Sequence, residues 1–352
     1  MKLKNLGFLL FLVSWTLLAQ CRTDAGSIPR RLKATKPSLD LVVGRGPTNI
    51  RTITEAIAIA AQERTSDKRY VIKVKAGVYN ENVIINDRLP NLTLLGDGKG
   101  RTIITGELSV GGSNLTTFNT ATVGVDADGF IARGITFRNT ASAEAKQAVA
   151  LRVTGDRAAF YGCSFEGYQD TLYVHAGRQF YKKCDIYGAV DFICGNAMAV
   201  FQDCNIYVRQ TNNIQAVITA SKRENPDDPT GIIIQRSRIA AAPGANLEGI
   251  RVYLGRPWRE YARTIIMESD IESLIDPEGW LWWDGKDESL KNNIYYAEFE
   301  NTGAGSSTAG RVNWNSVHQV ITPQEAEQFT VDKFIDGNSW LPSTNVPFSS
   351  GL

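Results

Sequence analysis

Histidine and cysteine are scarce in this chain of 352 residues, which contains two histidines and five cysteines. With only His175 and His318 available, the sequence offers little for a zinc site built on histidines or for a Ser-His-Asp triad. The G-x-S-x-G motif that presents a serine nucleophile is also absent. Five cysteines are too few for a disulfide scaffold, although a secreted protein can still form single bridges. The chemistry that remains is that of carboxylates, and we expect it to need no metal and no cofactor.

An excess of charge of either sign is missing as well. The chain has 38 basic and 37 acidic residues, which gives a formal net charge of +1. Binding to nucleic acid usually requires a clear basic excess, so we expect no nucleic-acid partner. After the first 20 residues, no apolar run is long enough to cross a bilayer. We therefore expect no association with a membrane.

The first 40 residues differ in composition from the rest of the chain. Two lysines precede an apolar run over residues 6–19, and polar sequence follows at once. That run is short for a membrane span and is typical of a cleaved secretory signal peptide, which we place at residues 1–20. Residues 21–40 are polar, contain proline and show no periodicity, so we predict a leader or linker. Residues 41–352 are then left for the folded domain.

Two short helices are predicted near the two ends of this domain. The segment TITEAIAIAAQE begins at Thr52, whose side chain would form a capping box with Glu55. The segment TPQEAEQF has the same device in Thr322 and Glu325, with Pro323 at the first helical position. Between the helices the chain consists of short β-branched and aromatic runs broken by Gly, Asn and Asp, which are typical of strands and turns.

Five six-residue runs share an apolar first residue, a small fourth residue and an apolar sixth residue: FYGCSF, YKKCDI, FQDCNI, IQRSRI and IMESDI. Their small fourth residues are Cys163, Cys184, Cys204, Ser237 and Ser269. These are separated by 21, 20, 33 and 32 residues. A repeat of about 20 residues or more with one such strand each is typical of a solenoid, here a parallel β-helix. The alternative, a β-sandwich, would show hairpin turns about every 8–12 residues and no ladder of small residues in register.

The three cysteines of this repeat would stack on adjacent coils of the solenoid. Neighbouring strands lie about 4.8 Å apart, which is close to the separation that a disulfide needs. Since three cysteines cannot all pair, one must remain a buried thiol, and the pattern leaves open which one.

Two aspartates form the candidate catalytic pair. Asp170 lies in YQDTLY and Asp191 lies in VDFICG, 21 residues later, which equals the local coil spacing. In a stacked solenoid the two would be near neighbours on one face. Two carboxylates at that range do not both ionise freely, and the pKa of one is pushed up. The pair can therefore supply a general acid and a nucleophile or base, although a single aspartate in a β-rich chain is usually a turn or ladder residue.

Amide, guanidinium and aromatic side chains would surround this pair. Gln169 precedes Asp170, and Gln147 lies about one coil earlier, so both amides could stabilise a developing oxyanion. Arg256 could pair with one carboxylate, and Trp258 could stack on a sugar ring. The alternatives are an amide ladder for Gln147 and an ordinary loop for the Arg-Pro-Trp segment. The tryptophans that could line a saccharide groove or pack in the core are Trp280, Trp282 and Trp283.

Two Asn-Leu-Thr triplets, at Asn91 and Asn114, match the acceptor motif for N-glycosylation. A secreted protein could carry a glycan at either asparagine. Such triplets are also common by chance, and the sequence favours neither of the two.

Five segments of the chain resemble the pectin methylesterases, in particular the plant-type branch of the pectinesterase family. The segment GVYNENV is similar to that family's G-x-Y-x-E block, and four more are similar to its further blocks in the same order: QAVALRV, YQDTLYVH, GAVDFICGNA and LGRPW. The resemblance runs from about Leu41 to the C-terminal PFSSGL. It implies a right-handed parallel β-helix, in agreement with the repeat, and assigns residues 41–352 to a pectinesterase catalytic domain with short capping helices at its ends.

The resemblance also implies a role for each candidate residue. Asp191 would be the nucleophile, and Asp170 would be the proton donor and then the base. Gln169 and Gln147 would stabilise the transition state and its oxyanion, and Arg256 would hold Asp191. The substrate-binding residues would be Thr117, Gln147, Arg256 and Trp258.

The implied reaction is hydrolysis of the C6 methyl esters of homogalacturonan, the methyl-esterified chain of pectin, to pectate and methanol during cell wall modification. The resemblance implies a secreted monomer of the cell wall, or apoplast, with pectin as substrate and pectin methylesterase inhibitor proteins as further partners. The family's structural disulfide would join Cys184 to Cys204 and leave Cys163 as the thiol.

The sequence departs from the family pattern at two places. Cys194 lies three residues after the implied nucleophile, where the family usually has phenylalanine, and this bears on substrate fit. The leader is too short for the inhibitor-like pro-region of many plant-type members, although its segment RRLK resembles their basic processing site. Two other functions stay open: a pectate lyase or polygalacturonase on the same solenoid, and a catalytically weak or inactive pectin-binding wall protein. A lyase is less favoured because the sequence shows no cluster of acids suited to calcium.

Overall fold

The computed structural model describes residues 39–44, 50–112 and 114–352. The predicted signal peptide, residues 1–20, and all but the last two residues of the predicted leader, 21–40, lie outside the described residues. The folded domain is built mainly from short strands. Their bounds are β1 Leu41–Val43, β2 Tyr70–Val74, β3 Gly77–Asn80, β4 Val83–Ile85, β5 Leu92–Leu95, β6 Thr102–Gly106, β7 Val123–Val125, β8 Ile131–Arg133, β9 Thr136–Asn139, β10 Leu151–Val153, β11 Ala158–Tyr161, β12 Ser164–Glu166, β13 Leu172–Val174, β14 Arg178–Lys182, β15 Asp185–Gly188, β16 Val190–Gly195, β17 Met198–Gln202, β18 Asn205–Val208, β19 Gln215–Ser221, β20 Gly231–Gln235, β21 Arg238–Ala241, β22 Arg251–Pro257, β23 Arg263–Met267, β24 Asp270–Ile271, β25 Tyr295–Phe299 and β26 Val317–His318.

The strands form three parallel sheets that the chain visits in turn. Sheet A has the order β1-β2-β5-β8-β11-β14-β17-β20-β23-β25-β26, sheet B the order β24-β21-β18-β15-β12-β9-β6-β3, and sheet C the order β22-β19-β16-β13-β10-β7-β4. The coil over residues 158–174, for example, gives β11 to sheet A, β12 to sheet B and β13 to sheet C. The next coil returns to sheet A with β14. Each strand therefore pairs with its counterpart one coil away, which is the predicted parallel β-helix.

The ladder of small residues lies in register, as predicted from the repeat. Each small residue is followed directly by a residue of sheet B, and these five residues are paired, each with the next, on neighbouring strands: Ser164, Asp185, Asn205, Arg238 and Asp270. The residue before each small one has a left-handed backbone: φ is 60° at Gly162, 54° at Lys183, 54° at Asp203, 48° at Arg236 and 50° at Glu268. Such a conformation bends the chain sharply at a single residue. It makes the corner between sheets A and B, and the small side chain that follows is buried in every coil.

The interior of the solenoid is filled by side chains that stack from coil to coil. Phe160, Tyr181 and Phe201 occupy paired positions on β11, β14 and β17, and their ring centroids are 4.8 and 4.5 Å apart. All three are fully buried. Burying one such side chain stabilises the fold by roughly 1.5–3 kcal/mol, and an aromatic pair adds about 0.5–1.5 kcal/mol. These stacks hold successive coils in one register, which is what places the functional side chains.

The two predicted helices begin where the sequence predicts: they are α1 Ile53–Glu63 and α2 Pro323–Glu327. Two further helices, α3 Val331–Ile335 and α4 Gly337–Thr344, and short 3₁₀ helices over Thr117–Thr120, Ala143–Ala145 and Glu288–Asn292 were not predicted. The capping box of Thr322 and Glu325 is complete. That of α1 is half formed, because Thr52 caps the N–H of Glu55 while the Glu55 carboxylate accepts from the N–H of Arg51. Among the described residues, no helix is both long enough and apolar enough to cross a membrane.

The helices at the two ends of the domain cover different surfaces. The buried face of α1 joins the interior core, so this helix closes the N-terminal end of the solenoid, as predicted for a cap. The C-terminal helices instead lie along the outer face of sheet A, which corrects the expectation of a second end cap. The reason is that this outer face is apolar: Phe180, Val200 and Ile233 on it pack in one cluster with Phe334 and Trp340 of the helices.

The predicted disulfide between Cys184 and Cys204 is not formed in the structure, where all four described cysteines are free thiols. Their thiols lie against main-chain carbonyls: Cys184 Sγ is 3.4 Å from the Lys182 oxygen, and Cys204 Sγ is 3.4 Å from the Tyr181 oxygen. Burial raises the pKa of the Cys184 thiol well above its ordinary value. The two residues do occupy neighbouring positions on adjacent coils, a spacing that a disulfide can bridge. The pairing stays a prediction.

Candidate active site

A cavity of about 120 Å³ opens on the outer face of sheet C. Every catalytic or substrate-binding residue predicted from the sequence lines this one cavity. These residues are Thr117, Gln147, Gln169, Asp170, Asp191, Arg256 and Trp258. Cys194, Ala220 and Trp283 complete the lining. The solenoid thus brings into one site side chains that come from widely separated stretches of the chain.

The two aspartates lie on adjacent coils, as their spacing predicts. Gln147 pairs with Gln169, and Gln169 pairs with Val190, both in parallel register. Asp170 directly follows Gln169, and Asp191 directly follows Val190 on the next coil. Since neighbouring parallel strands are about 4.8 Å apart, the two carboxylates enter the cavity side by side.

The backbone at both aspartates is left-handed, with φ of 57° at Asp170 and 49° at Asp191. Such a conformation costs on the order of 1–3 kcal/mol for a residue other than glycine, and residues that keep it cluster at functional sites. At Asp191 the register of β16 against β19 also shifts between Val190 and Ile193, which marks a bulge. A bulge changes the direction of a side chain. Here the bulge includes Asp191, whose carboxylate faces the cavity.

Gly188 permits this local geometry. A Cβ at position 188 would come within 2.1 Å of the Cβ of Phe192, so no other residue fits there without a shift of the chain. Phe192 is fully buried in the interior core, directly after Asp191. The bulge therefore sends one side chain inward to pack and its neighbour outward to the cavity. In this way a carboxylate reaches the cavity from residues 190–194, which are otherwise apolar.

Arg256 holds the Asp191 carboxylate by two hydrogen bonds. Its Nε donates to Asp191 Oδ1 at 2.8 Å, and its Nη2 donates to Oδ2 at 2.6 Å. Bidentate, charge-assisted pairs of this kind are among the strongest hydrogen bonds in proteins. The guanidinium also lies 4.1 Å from the centre of the Trp283 ring. Arg256 is therefore fixed between an aromatic face and the carboxylate that it neutralises.

The environments of the two aspartates separate their pKa values. Burial raises the pKa of Asp170 well above its ordinary value, the negative charge of Asp191 raises it further, and Arg256 opposes both. Burial raises the pKa of Asp191 too, but here the hydrogen bonds and charge of Arg256 act directly to lower it. Within the described residues, the Asp170 side chain has no hydrogen-bond partner. The first proton taken up by the pair therefore resides on Asp170, and Asp191 is the ionised member.

The side-chain amides of Gln147 and Gln169 are available to a bound molecule. Both residues line the cavity and are partly buried, and neither side chain has a hydrogen-bond partner among the described residues. An amide ladder, the alternative for Gln147, does exist elsewhere in the fold, where Gln202 Nε2 donates to Gln235 Oε1 at 2.9 Å. The amides at the cavity are not engaged in this way, so they remain free to donate to an oxyanion.

An apolar floor extends beside the carboxylates. Tyr173, Cys194 and Ala220 occupy paired positions on three successive coils, and Phe118 and Trp258 pack against them. The rings of Tyr173 and Trp258 are 5.8 Å apart. Aromatic faces of this kind suit the apolar face of a sugar. Sequence reasoning missed Phe118, Tyr173 and Ala220, although the 21-residue spacing that links the aspartates also links Tyr173 to Cys194.

Cys194 lies in this floor as a neutral thiol. It lines the cavity but is otherwise buried, with 1% of its surface exposed. Burial raises the pKa of the Cys194 thiol well above its ordinary value, and the charges of Asp170 and Asp191 add to this. A protonated thiol behaves as a small apolar side chain. The departure from the family pattern therefore affects the shape of the floor and leaves the carboxylate pair in place.

The three tryptophans of GWLWWDG have separate roles. Trp283 lines the cavity, as one of the two sequence hypotheses predicts. Trp280 is buried in the core and stacks on Tyr296 with ring centroids 4.3 Å apart. Trp282 packs edge-on against Trp314. A common saccharide groove formed by all three is therefore not present, and core packing accounts for Trp280.

Comparison with known proteins gives one consistent result. The family model described as Pectinesterase matches residues 40–338. The chain is 53% identical to "Pectinesterase 2" of Citrus sinensis over 326 residues, which are 92% of this chain and 62% of that protein. It is 47% identical to "Pectinesterase" of Daucus carota over 317 residues, which are 89% of this chain and 97% of that protein. The chain thus spans less than two thirds of the length of the Citrus relative.

A solved structure matches the fold as well. The structure "Pectin methylesterase from Carrot" has a TM-score of 0.86 and 47% sequence identity, and the match covers 90% of this chain and 99% of that one. The right-handed parallel β-helix expected from the repeat and the resemblance is confirmed by this match and by the three parallel sheets. Together, the family model, the sequence relatives and the solved structure show that the chain belongs to the pectinesterase family.

Proposed function

We propose that this chain hydrolyses the C6 methyl esters of homogalacturonan in pectin, giving pectate and methanol. The observation that carries the proposal is the carboxylate pair in the cavity. Asp191 is ionised by its contact with Arg256, while Asp170 has a raised pKa and no hydrogen-bond partner among the described residues. A nucleophile beside an acid, with their pKa values pushed apart, supports covalent hydrolysis of an ester.

In the proposed reaction, Asp191 attacks the carbonyl carbon of the ester. The side-chain amides of Gln147 and Gln169 donate hydrogen bonds to the oxyanion that forms. Asp170 gives its proton to the departing oxygen, so that methanol leaves and the galacturonyl group stays bonded to Asp191 as an anhydride.

Asp170, now ionised, acts as a base in the second half of the reaction. It takes a proton from a water molecule, whose oxygen attacks the acyl carbon. When this intermediate collapses, Asp191 leaves as a carboxylate and the galacturonic acid is released, losing its own proton to solvent. Both aspartates then have their starting protonation states.

The rest of the cavity supports a sugar acid as the substrate. The aromatic rings of Tyr173 and Trp258 would face the apolar side of a galacturonate ring, and Thr117 would offer a hydroxyl at the rim. Two of the three guanidinium nitrogens of Arg256 already donate hydrogen bonds to the Asp191 carboxylate. Arg256 would therefore act on the substrate mainly by holding Asp191, and only its third nitrogen is left to contact the substrate beside that carboxylate.

The test of this function is methanol released from highly methylated pectin by the purified protein, with new chain ends counted in the same reaction. We expect methanol without new chain ends. New ends would instead indicate a lyase or a polygalacturonase on the same scaffold.

One observation favours a second candidate, a catalytically weak or inactive pectin-binding protein. Cys194 lines the cavity with a smaller side chain than the phenylalanine usual at this position. The apolar surface that a sugar ring can contact is therefore smaller, which favours weaker binding of the substrate. Binding of pectin without methanol release would support that candidate. The intact carboxylate pair and its arginine argue for turnover.

The setting of this activity is proposed as the cell wall of a plant, reached by secretion. We propose a monomer that acts on pectin, with inhibitor proteins of the pectin methylesterases as further partners. In the oxidising exterior, Cys184 and Cys204 would form the disulfide that their positions on adjacent coils permit.

Glycosylation is expected at Asn114 and not at Asn91. Asn114 is exposed. Asn91 is partly buried, has a left-handed φ of 58°, and uses its side-chain Nδ2 to donate to the main-chain oxygen of Asp67 at 2.9 Å. Mass spectrometry of the secreted protein should therefore show one glycan, lost in Asn114→Gln and kept in Asn91→Gln. A glycan that disappears in Asn91→Gln would contradict this.

A further inference from the structure

A second and larger cavity, of about 580 Å³, lies on the outer face of sheet B and has no part in the reaction proposed above. It is found where the strands of sheet B end and the chain turns toward sheet C. We call it the corner groove and define it by Arg138, Glu166, Tyr168, Tyr187, Arg209 and Pro243.

One wall of the corner groove is a row of side chains from successive coils. Arg138 on β9 pairs with Glu166 on β12, and Glu166 pairs with Tyr187 on β15. The Nε of Arg138 donates to Glu166 Oε2 at 2.7 Å. The two terminal nitrogens of Arg138 and the hydroxyl of Tyr187 have no hydrogen-bond partner among the described residues. This wall therefore offers unused donors beside an aromatic ring.

The facing side chains hold a second guanidinium in place. Arg209 lies 3.9 Å from the centre of the Tyr168 ring, and it donates to the Gly167 main-chain oxygen at 2.9 Å and to the Tyr168 hydroxyl at 3.0 Å. A guanidinium fixed in this way loses little entropy when it binds a ligand. The Nε of Arg209 has no partner within the described part of the chain.

The chemistry of the corner groove fits a chain of acidic sugars. Its lining carries two guanidinium charges against one carboxylate, so it attracts anions. Aromatic rings and a proline offer apolar surface for sugar rings. A free galacturonate carboxylate can accept charge-assisted hydrogen bonds from arginine, whereas its neutral methyl ester cannot accept bonds of that strength. The groove therefore suits the product of the proposed reaction better than its substrate.

The corner groove adjoins the active-site cavity along the chain. Tyr168 lines the groove, and the next residue, Gln169, lines the cavity. Consecutive Cα atoms are about 3.8 Å apart. A polymer that presents one sugar to Asp191 can thus place another part of its length across this corner.

We propose that the corner groove binds a de-esterified segment of the same pectin chain whose methyl ester lies in the active site. The inference rests on the proposed function for the identity of the polymer. It predicts that the protein works best on pectin that already contains free carboxylates, because the groove then anchors the chain.

The test compares groove variants on two substrates. Tyr187→Ala and Arg138→Gln remove the ring and the guanidinium of one wall. Tyr207→Ala is the matched control, since Tyr207 stacks on Tyr187 from the next coil but does not line the groove. The substrates are long, partly de-esterified pectin and a short, fully methylated oligogalacturonide, and the measurement is kcat/KM for methanol release.

Each groove variant should lower kcat/KM on partly de-esterified pectin by roughly three- to tenfold, the loss expected for one aromatic or charged contact. Activity on the fully methylated oligomer should not change, and the control should match the wild type on both substrates. Equal losses on both substrates would overturn the proposal, as would no loss on either.

A binding measurement separates failure of this inference from failure of the proposed function. Calorimetric titration with a fully de-esterified oligogalacturonide should show weaker binding to Tyr187→Ala than to the wild type or to Tyr207→Ala. If the wild type released no methanol, the proposed function would fail while this titration still tested the groove. If Tyr187→Ala bound the oligomer as tightly as the wild type, the groove proposal would be wrong whatever the activity.

Discussion

Asp191→Asn should lower methanol release from methylated pectin by about 10⁴-fold or more, the loss typical of a missing nucleophile. Asp191 is 2% exposed and lies at a bulge facing the cavity, where Arg256 holds its carboxylate. Asparagine has nearly the same shape but cannot form the acyl intermediate. The measurement is the initial rate of methanol release at saturating pectin.

The fold should survive this substitution. Asparagine keeps an oxygen that can accept from Arg256, and Arg256 retains its stacking on Trp283 and about 20% exposure of its side chain to water. We expect the free energy of unfolding to change by about 1–2 kcal/mol. Asp185→Asn, a change of the same type in sheet B, is the matched control and should keep full activity. Residual activity of Asp191→Asn within tenfold of the wild type would assign the nucleophile elsewhere.

Much of the fold could be predicted because a solenoid repeats its geometry. The ladder of small residues at Cys163, Cys184 and Cys204 indicates the coil length, and that length alone predicts that Asp191 lies beside Asp170 on the next coil. Periodic sequence carries this information because each coil must match the register of its neighbours. The position of the C-terminal helices carries no such signal. It depends on the apolar outer face of sheet A, which is assembled from single residues on many coils.

The candidate site was predictable where its residues follow the coil spacing and less so elsewhere. Gln147 and Gln169 share one row of the solenoid with Val190, and the two aspartates directly follow Gln169 and Val190. The left-handed backbone at both aspartates could not be foreseen from the sequence. Its cost in free energy is offset by tertiary packing, such as that of Phe192 against Gly188, and tertiary packing is not visible in a sequence pattern. The different positions of the tryptophans could not be foreseen either, since Trp280 packs in the core and Trp283, three residues later in the same segment, lines the cavity.

Arg256→Gln should have the second large effect, on both activity and stability. It leaves the Asp191 carboxylate buried without its cationic partner, and burial then raises the pKa of Asp191 unopposed. More of the nucleophile is protonated at neutral pH, so the rising limb of the pH–rate profile should move to higher pH and the rate at pH 7 should fall by about 10²-fold or more. Arg256→Lys, which keeps the charge but not the bidentate geometry, should fall between this variant and the wild type.

The stability of Arg256→Gln should depend on pH with a definite sign. A carboxyl group whose folded pKa lies above its unfolded value of about 3.9 favours the folded state only while it is protonated. The variant should therefore match the wild type most closely in acid and lose stability as the pH rises through the raised pKa of Asp191. Above that pKa the loss should approach about 3 kcal/mol, near the lower end for a broken buried pair because Arg256 is partly exposed.

The double variant Asp191→Asn/Arg256→Gln separates loss of the charge pair from loss of packing. Without the Asp191 carboxylate its buried charge is no longer left unpaired, so Arg256→Gln should cost much less in this background than in the wild type. Its cost should also change less with pH, because only the weaker effect of Arg256 on Asp170 remains. Denaturant unfolding of the four proteins of this cycle at pH 4 and pH 8 measures both quantities. An equal cost of Arg256→Gln in the two backgrounds would mean that Arg256 acts by packing on Trp283, and that some other group keeps Asp191 ionised.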